Sequence, residues 1–236
     1  MRLFLTGDTH GGLSAEKLSE KNWPEQNKLN KEDLLIILGD FGFIWSNEPN
    51  NTERYWIKLF DEINCRVAFI DGNHENHSRL SEMPEVSFQG GMAGQVSENI
   101  WHLKRGEIYR MGNRDIFVMG GADSIDKFAR KPGISWWESE IPSPEEMEHA
   151  FQNLEKFDNK VDYILTHTLP KKVVSSFMKW FEKTNDPTSI FLDIVNDRCS
   201  YEKWFGAHFH EDFEHGKFQV LYQQIIEVDM NLMKNI

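Results

Sequence analysis

The chain has little that would staple it from outside or hold it in a membrane. Two cysteines in 236 residues, Cys65 and Cys199, exclude a disulfide scaffold. They fall in no metal-binding spacing, so reduced, buried thiols are expected. No apolar run approaches the roughly 20 residues that span a bilayer. Met1 runs almost directly into the first apolar segment, leaving no room for a signal peptide, and a cytoplasmic protein is the expectation. Basic residues are in deficit, 26 Lys and Arg against 38 Asp and Glu, for a net charge of −12. That excess disfavours broad electrostatic binding to duplex nucleic acid or an anionic membrane. A small or single-stranded partner is less constrained, because bound cations supply local charge outside the formal count. No repeat, low-complexity stretch or Pro/Ser-rich linker divides the chain, which reads as a single domain over 1–236.

What the sequence does carry is a series of metal-ligand residue types in a fixed order. Gly7-Asp8-Thr9-His10, Gly39-Asp40, Gly72-Asn73-His74-Glu75, Thr166-His167 and Gly206-Ala207-His208-Phe209-His210 are far apart yet chemically alike. Several close a short apolar run: Leu3 to Thr6 leads to Asp8, Leu34 to Leu38 to Asp40, Val67 to Ile70 to Asn73, and Tyr163 to Leu165 to His167. Runs of this length, bounded by Gly or polar residues, read as strands buried on both faces. In such sheets ligands gather beyond the carboxyl ends of the strands, so the candidate ligands share one edge.

In these five blocks the chain resembles the calcineurin-like metallophosphoesterases, whose pattern runs D-x-H, G-D, G-N-H-[DE], H and G-H-x-H. The likeness extends from Asp8 to His210. It implies a four-layer αββα sandwich of two mixed sheets flanked by helices. It also implies a binuclear centre in which Asp8, His10, Asp40 and His210 hold one metal and Asp40, Asn73, His167 and His208 the other, with Asp40 bridging. Neutral imidazoles with an amide oxygen favour transition metals over calcium, so manganese is expected, with iron or zinc as alternatives. Two close metal ions activate water for in-line attack on phosphorus. His74, in the third block, is the candidate general acid for the departing oxygen. Glu75 is expected to fix a loop rather than bind metal.

Two departures from the pattern bear on substrate. The protein phosphatase branch continues its second block with an Asp that orients the catalytic His, followed by Arg-Gly, whereas here the Asp position is Phe43. The last block has Ala207 where Gly is usual. The expected reaction is hydrolysis of a nucleotide or nucleic-acid-derived phosphodiester, or of a small phosphomonoester. A serine/threonine protein phosphatase-like activity and a non-catalytic metal-binding scaffold are the alternatives.

Bland readings stand beside these. Asp8, His10 and Asp40 also suit helix caps, and His74 a structural hydrogen-bonding role. His208 and His210 alternate as residues on one face of a strand. His77, His102, His149 and His215 read as packing or solvent residues. Phe43 and Trp45 lie close enough to Asp40 to line the mouth of the site or to pack in the core. The Gly120 to Glu140 segment, with Lys127, Arg130 and Trp136-Trp137, reads either as a substrate loop gripping phosphate or as a surface loop closed by its tryptophans. Asn76 to Asn99 is a candidate lid.

Local signals complete the picture. Ser143, Pro144 and Glu146 form a capping-box start to a helix whose Met147, Ala150, Phe151, Leu154 and Phe157 share a face. A second helix is expected from Thr52 to Ile63, and two more near Lys171 to Glu182 and Ser189 to Asn196. Ile100 to Leu103, Glu107 to Arg110 and Ile116 to Met119 read as strands, with a hairpin turn at Gly112-Asn113. Phe218 to Tyr222 and Ile225 to Val228 read as the last two.

Overall fold

The computed structural model describes residues 1–230. Its strands are β1 (Leu3–Thr6), β2 (Leu34–Leu38), β3 (Arg66–Ile70), β4 (Glu85–Phe88), β5 (Gly91–Gln95), β6 (Ile100–Leu103) and β7 (Ile108–Met111). They continue with β8 (Arg114–Met119), β9 (Tyr163–Thr166), β10 (Lys203–Gly206), β11 (Phe213–His215), β12 (Phe218–Val220) and β13 (Ile225–Val228). The helices are α1 (Asn51–Glu62), α2 (His77–Ser81), α3 (Pro144–Lys156), α4 (Lys171–Phe177) and α5 (Pro187–Arg198).

The strands form two mixed sheets, ordered β13-β1-β2-β3-β6-β5-β4 and β11-β12-β10-β9-β8-β7. In the first, β1, β2, β3 and β6 run parallel; in the second, β8, β9, β10 and β12 do. Alternation along the strands decides the layering. Leu3, Leu5, Leu34, Ile36, Ala68 and Ile70 face Ile116, Val118, Tyr163, Leu165 and Phe205 in one inner core. Their neighbours Phe4, Leu35, Ile37, Val67 and Phe69 pack outward under α1 and α2. Phe117, Ile164 and Trp204 pack outward under α3, α4 and α5. Side chains of period two with both faces apolar require cover on both sides, and the result is the expected αββα sandwich. Among the described residues no helix is long and apolar enough to cross a membrane.

Several local readings are refined. The Asn76 to Asn99 stretch is not a lid: it forms α2 and the β4/β5 hairpin at a sheet edge. Tyr109 Oη donates to Met92 O at 2.6 Å, which pins this hairpin to the second sheet. The expected helix after Lys171 ends at Phe177, because Met178 leaves helical geometry before a 3-10 turn over Lys179–Lys183. Phe157 is the C-cap of α3 and partly exposed rather than on its buried face. β10 has no apolar run long enough to announce it, yet it lies in the interior of its sheet.

The capping box at α3 is present in full, Ser143 Oγ accepting from Glu146 N and Glu146 Oε2 from Ser143 N. Ser143→Ala should lower unfolding stability by about 1 kcal/mol, read from denaturant midpoints at constant slope.

Candidate metal centre

Every block that the sequence singles out ends at the same place. β1, β2, β3, β9 and β10 are parallel strands of the two facing sheets, and the turns beyond their carboxyl ends carry Asp8, Asp40, Asn73 with His74, His167, and His208 with His210. The turns are tight. Among the described residues, His10, Asp40, His208 and His210 all take left-handed backbone with φ between 43° and 71°, a conformation that ordinary residues hold only when their surroundings fix it. His208 and His210 therefore reach the site from a bend, not from one face of a strand. Two glycines are required by close approach. A Cβ at Gly39, itself at φ 94°, would collide with the His167 ring, and one at Gly72 with the Asp40 carboxylate.

The side chains converge in three overlapping groups: Asp8, His10 and His210; Asp40, His167 and His208; and, between them, His10, Asp40 and His74, with the offered ligand atoms of each group within 4.8 Å of one another. His10 Nδ1 lies 3.8 Å from Asp40 Oδ2, linking the groups. Asn73 Oδ1 lies 3.2 Å from His167 Nε2, on the second group. His167 Nδ1–H donates to Leu38 O at 2.9 Å, which turns Nε2 into the site.

Left to themselves these groups are poorly matched. His10 and His210 oppose their Nε2 atoms at 2.8 Å, and His208 Nδ1 sits 3.1 Å from His167 Nε2. Asp8 is fully buried, and its Oδ2 has no hydrogen-bond partner although His210 Nε2 and His10 Nε2 lie 3.1 and 3.4 Å away. Imidazole nitrogens crowded within hydrogen-bond distance of one another, beside a buried carboxylate oxygen without a partner, form a donor set that transition-metal cations fit. Burial alone would raise the Asp8 carboxyl, but His10, His210 and His167 outweigh it and hold it well below the usual range. Asp40 is likewise lowered, burial being overcome mainly by His167. Burial works against charge on His167, and the adjacent Asp40 and Asp8 overcome it and raise its pKa. Burial, with His167 beside it, keeps His208 neutral.

His74 stands at the open side of the site. Its backbone N–H donates to Asp40 Oδ1 at 2.8 Å. Its ring stacks on Trp45 at 5.9 Å, and its Nε2 faces Arg130 Nη2 at 3.1 Å. Burial lowers its pKa, Asp40 opposes, and Arg130 adds to the lowering. Arg130 Nε binds Asp126 at 2.8 Å, while its Nη1 is buried with no partner. Lys127, in contrast, is held by both oxygens of Asp123. Within the Gly120 to Glu140 segment Arg130 thus faces His74, while Trp137 is buried edge-on against Trp45. Phe43 is a core residue packed on Phe41, Trp56 and Phe60. Glu75 is buried, and Gly42 N donates to its carboxylate at 3.2 Å, tying down the turn after Asp40. Ala207 is buried in the inner core, which accepts its methyl group.

Two clefts meet at His74. One, of about 440 Å³, is lined by His10, Leu13, Phe43 and Trp45. The other, of about 460 Å³, is lined by Arg130, Asp123, Asp126, Met178 and Phe209.

Supporting residues outside the blocks are not announced by any motif. Lys17 is buried and donates through Nζ to Gly7 O and Asp8 O at 2.9 Å each, and to Tyr222 O. Tyr222 stacks on His210 at 4.9 Å. His77 and His102 are buried beside Asp71, with His102 Nε2 3.0 Å from Asp71 Oδ1.

No curated protein matches the chain. Among solved structures it is similar to the phosphopantetheinyl hydrolase of Mycobacterium tuberculosis, with 14% identity and a TM-score of 0.44 over 94% of this chain and 88% of that one. The family model of the calcineurin-like phosphoesterases matches residues 1–212, a span that contains every residue of the three His/Asp groups. The chain belongs to the calcineurin-like phosphoesterase family, metal-dependent hydrolases of phosphoric esters whose binuclear centre has its counterpart in these His/Asp clusters.

Proposed function

We propose that the chain hydrolyses a phosphodiester, nucleotide or nucleic-acid-derived, ahead of a small phosphomonoester. The observation that carries this reading is the pair of converging groups, Asp8/His10/His210 and Asp40/His167/His208, beside an open cleft on each side of His74. Asp8, His10, Asp40 and His210 would hold one metal and Asp40, Asn73, His167 and His208 the other, manganese first and iron or zinc as alternatives. Bound there, two ions would supply Lewis acidity and water activated for attack on phosphorus.

The chain's own residues account for the rest. Arg130 is the group for the outer phosphoryl oxygens, since its Nη1 is a buried donor without a partner. Phosphoryl oxygens that draw Arg130 off His74 would free Nε2, which carries no proton while it accepts from Arg130, to take up a proton from solvent and pass it to the leaving oxygen as general acid. Trp45, stacked on His74 in an aromatic cleft, offers a face to a nucleobase or another flat ester group. Two clefts suit an ester with two substituents better than one with a single substituent. A protein phosphatase-like activity fits less well, because a buried aromatic, Phe43, occupies the place of that branch's orienting Asp. Buried free thiols suit a reducing, cytoplasmic setting.

Metal-stripped protein should hydrolyse an aryl phosphodiester faster than the matching monoester once manganese is added, and Asp40→Asn should remove that turnover. Full metal occupancy with no turnover of either ester would favour the non-catalytic scaffold. His74→Ala should lower turnover on the order of 100-fold for poor leaving groups and much less for good ones; equal losses would take the proton-donor role from it. Arg130→Ala should raise KM on the order of 10-fold, with Arg130→Lys only partly restoring it. An unchanged KM would place Arg130 outside substrate binding.

A further inference from the structure

The segment between β8 and α3 touches the metal centre through a second route, Ser124. Asn73 Nδ2–H donates to Ser124 Oγ at 3.1 Å, while Asn73 Oδ1 lies on the other side against His167 Nε2. Ser124 in turn gives both of its protons to Glu140, its N–H to Oε1 at 2.6 Å and its hydroxyl to Oε2 at 2.9 Å. The Trp136 indole N–H completes the set, donating to Oε1 at 2.9 Å. Asn73, Ser124 and Glu140 are all buried, Glu140 completely.

The direction of each bond follows from this order. Burial pushes the Glu140 carboxyl up to about 7 against the hydrogen bonds of Ser124 and Trp136; in its ionised form it offers only acceptors, so the single hydroxyl proton of Ser124 is then committed to Glu140 and the Ser124 oxygen presents lone pairs alone to Asn73. An acceptor there selects the NH2 end of the amide, which leaves Oδ1, the only end able to ligate a cation, turned toward His167 and Asp40. A Ser124 hydroxyl released from Glu140 could rotate and donate to Oδ1, holding the amide the wrong way round. We propose that Glu140, acting through Ser124, sets which end of the Asn73 amide faces the metal centre, so that both are positioning residues for the second metal. The inference rests on the reading of Asn73 as a ligand.

The test is stepwise manganese binding to the metal-stripped full chain, followed by calorimetry, for the parent and for Asn73→Ala, Ser124→Ala, Ser124→Thr and Glu140→Gln. Ser124→Ala should weaken one of the two binding steps on the order of 10-fold, the same step that Asn73→Ala weakens, and leave the other within two-fold. Ser124→Thr keeps the hydroxyl and should restore the parent value. Glu140→Gln, which sets an NH2 against a donor, should weaken that same step. The side-chain amide resonances of Asn73 in the metal-free protein should shift in Ser124→Ala and stay in place in Ser124→Thr. If Asn73→Ala weakens one step while Ser124→Ala and Glu140→Gln leave both within two-fold of the parent, the relay is wrong. If Asn73→Ala itself leaves both steps unchanged, Asn73 is not a ligand and the inference falls with that reading.

Discussion

Two carboxylates, Asp8 and Asp40, are almost completely buried side by side at the seam of two sheets, and the architecture of the site is a response to that charge. Removing a carboxylate from water costs several kcal/mol unless opposite charge and hydrogen bonds replace the solvent. The chain supplies part of the replacement: backbone N–H groups of His74 and His208 at the carboxylate oxygens and the His167 ring, whose Nε2 lies 3.4 Å from Asp40 Oδ1. Behind Asp8, Lys17 ties the carbonyls of the same turn. It does not finish the task, since one Asp8 oxygen stays orphaned and two imidazole pairs meet nitrogen to nitrogen. The left-handed backbone at His10, Asp40, His208 and His210 concentrates strain at the same place, held there by the packing of the strand-end turns.

Such a seam needs a rigid frame. The inner core takes alternate side chains from both sheets and admits none of the ligand residues, so the ligands are pushed to the turns beyond the strand ends. There the parallel strands of one sheet deliver Asp8, Asp40 and Asn73, and those of the other deliver His167 and His208. A strand-end turn has few backbone choices, and Gly39 and Gly72 narrow them further by admitting an imidazole and a carboxylate against bare Cα atoms. The metal centre is thus a property of the sandwich rather than of any single loop.

This explains which features were legible in the sequence. Leu34 to Leu38 and Val67 to Ile70 announce themselves because a strand buried on both faces leaves a continuous apolar run, and the polar block that follows marks the strand end. The capping box at Ser143 is equally local. Lys17, Ser124 and Glu140 stayed silent because their roles depend on partners 9 to 205 residues away and on no spacing that repeats. The hairpin at Gly91 looked like a lid for a related reason. Its glycines suggest mobility locally, whereas the Tyr109 hydroxyl on the opposite sheet holds it. His208 and His210 had the right spacing for a strand face, but they lie in a bend with left-handed backbone, a geometry no spacing announces.

The surroundings of His74 separate this centre from the protein phosphatase branch in physical terms. An imidazole paired with a carboxylate is a stronger base, holding its proton more firmly. Among the described residues no carboxylate is hydrogen-bonded to the ring of His74, which instead lies between Trp45 and the Arg130 guanidinium and has its pKa lowered. On the proposed reading, that makes His74 a readier proton donor that is less often protonated before substrate arrives. On that reading, phosphoryl oxygens that draw Arg130 away would remove one cause of the lowering and open Nε2 to a proton from solvent. Substrate binding and arming of the acid would then be one event. A ligand with the same flat substituents and no phosphoryl group would fill the clefts and leave His74 facing Arg130.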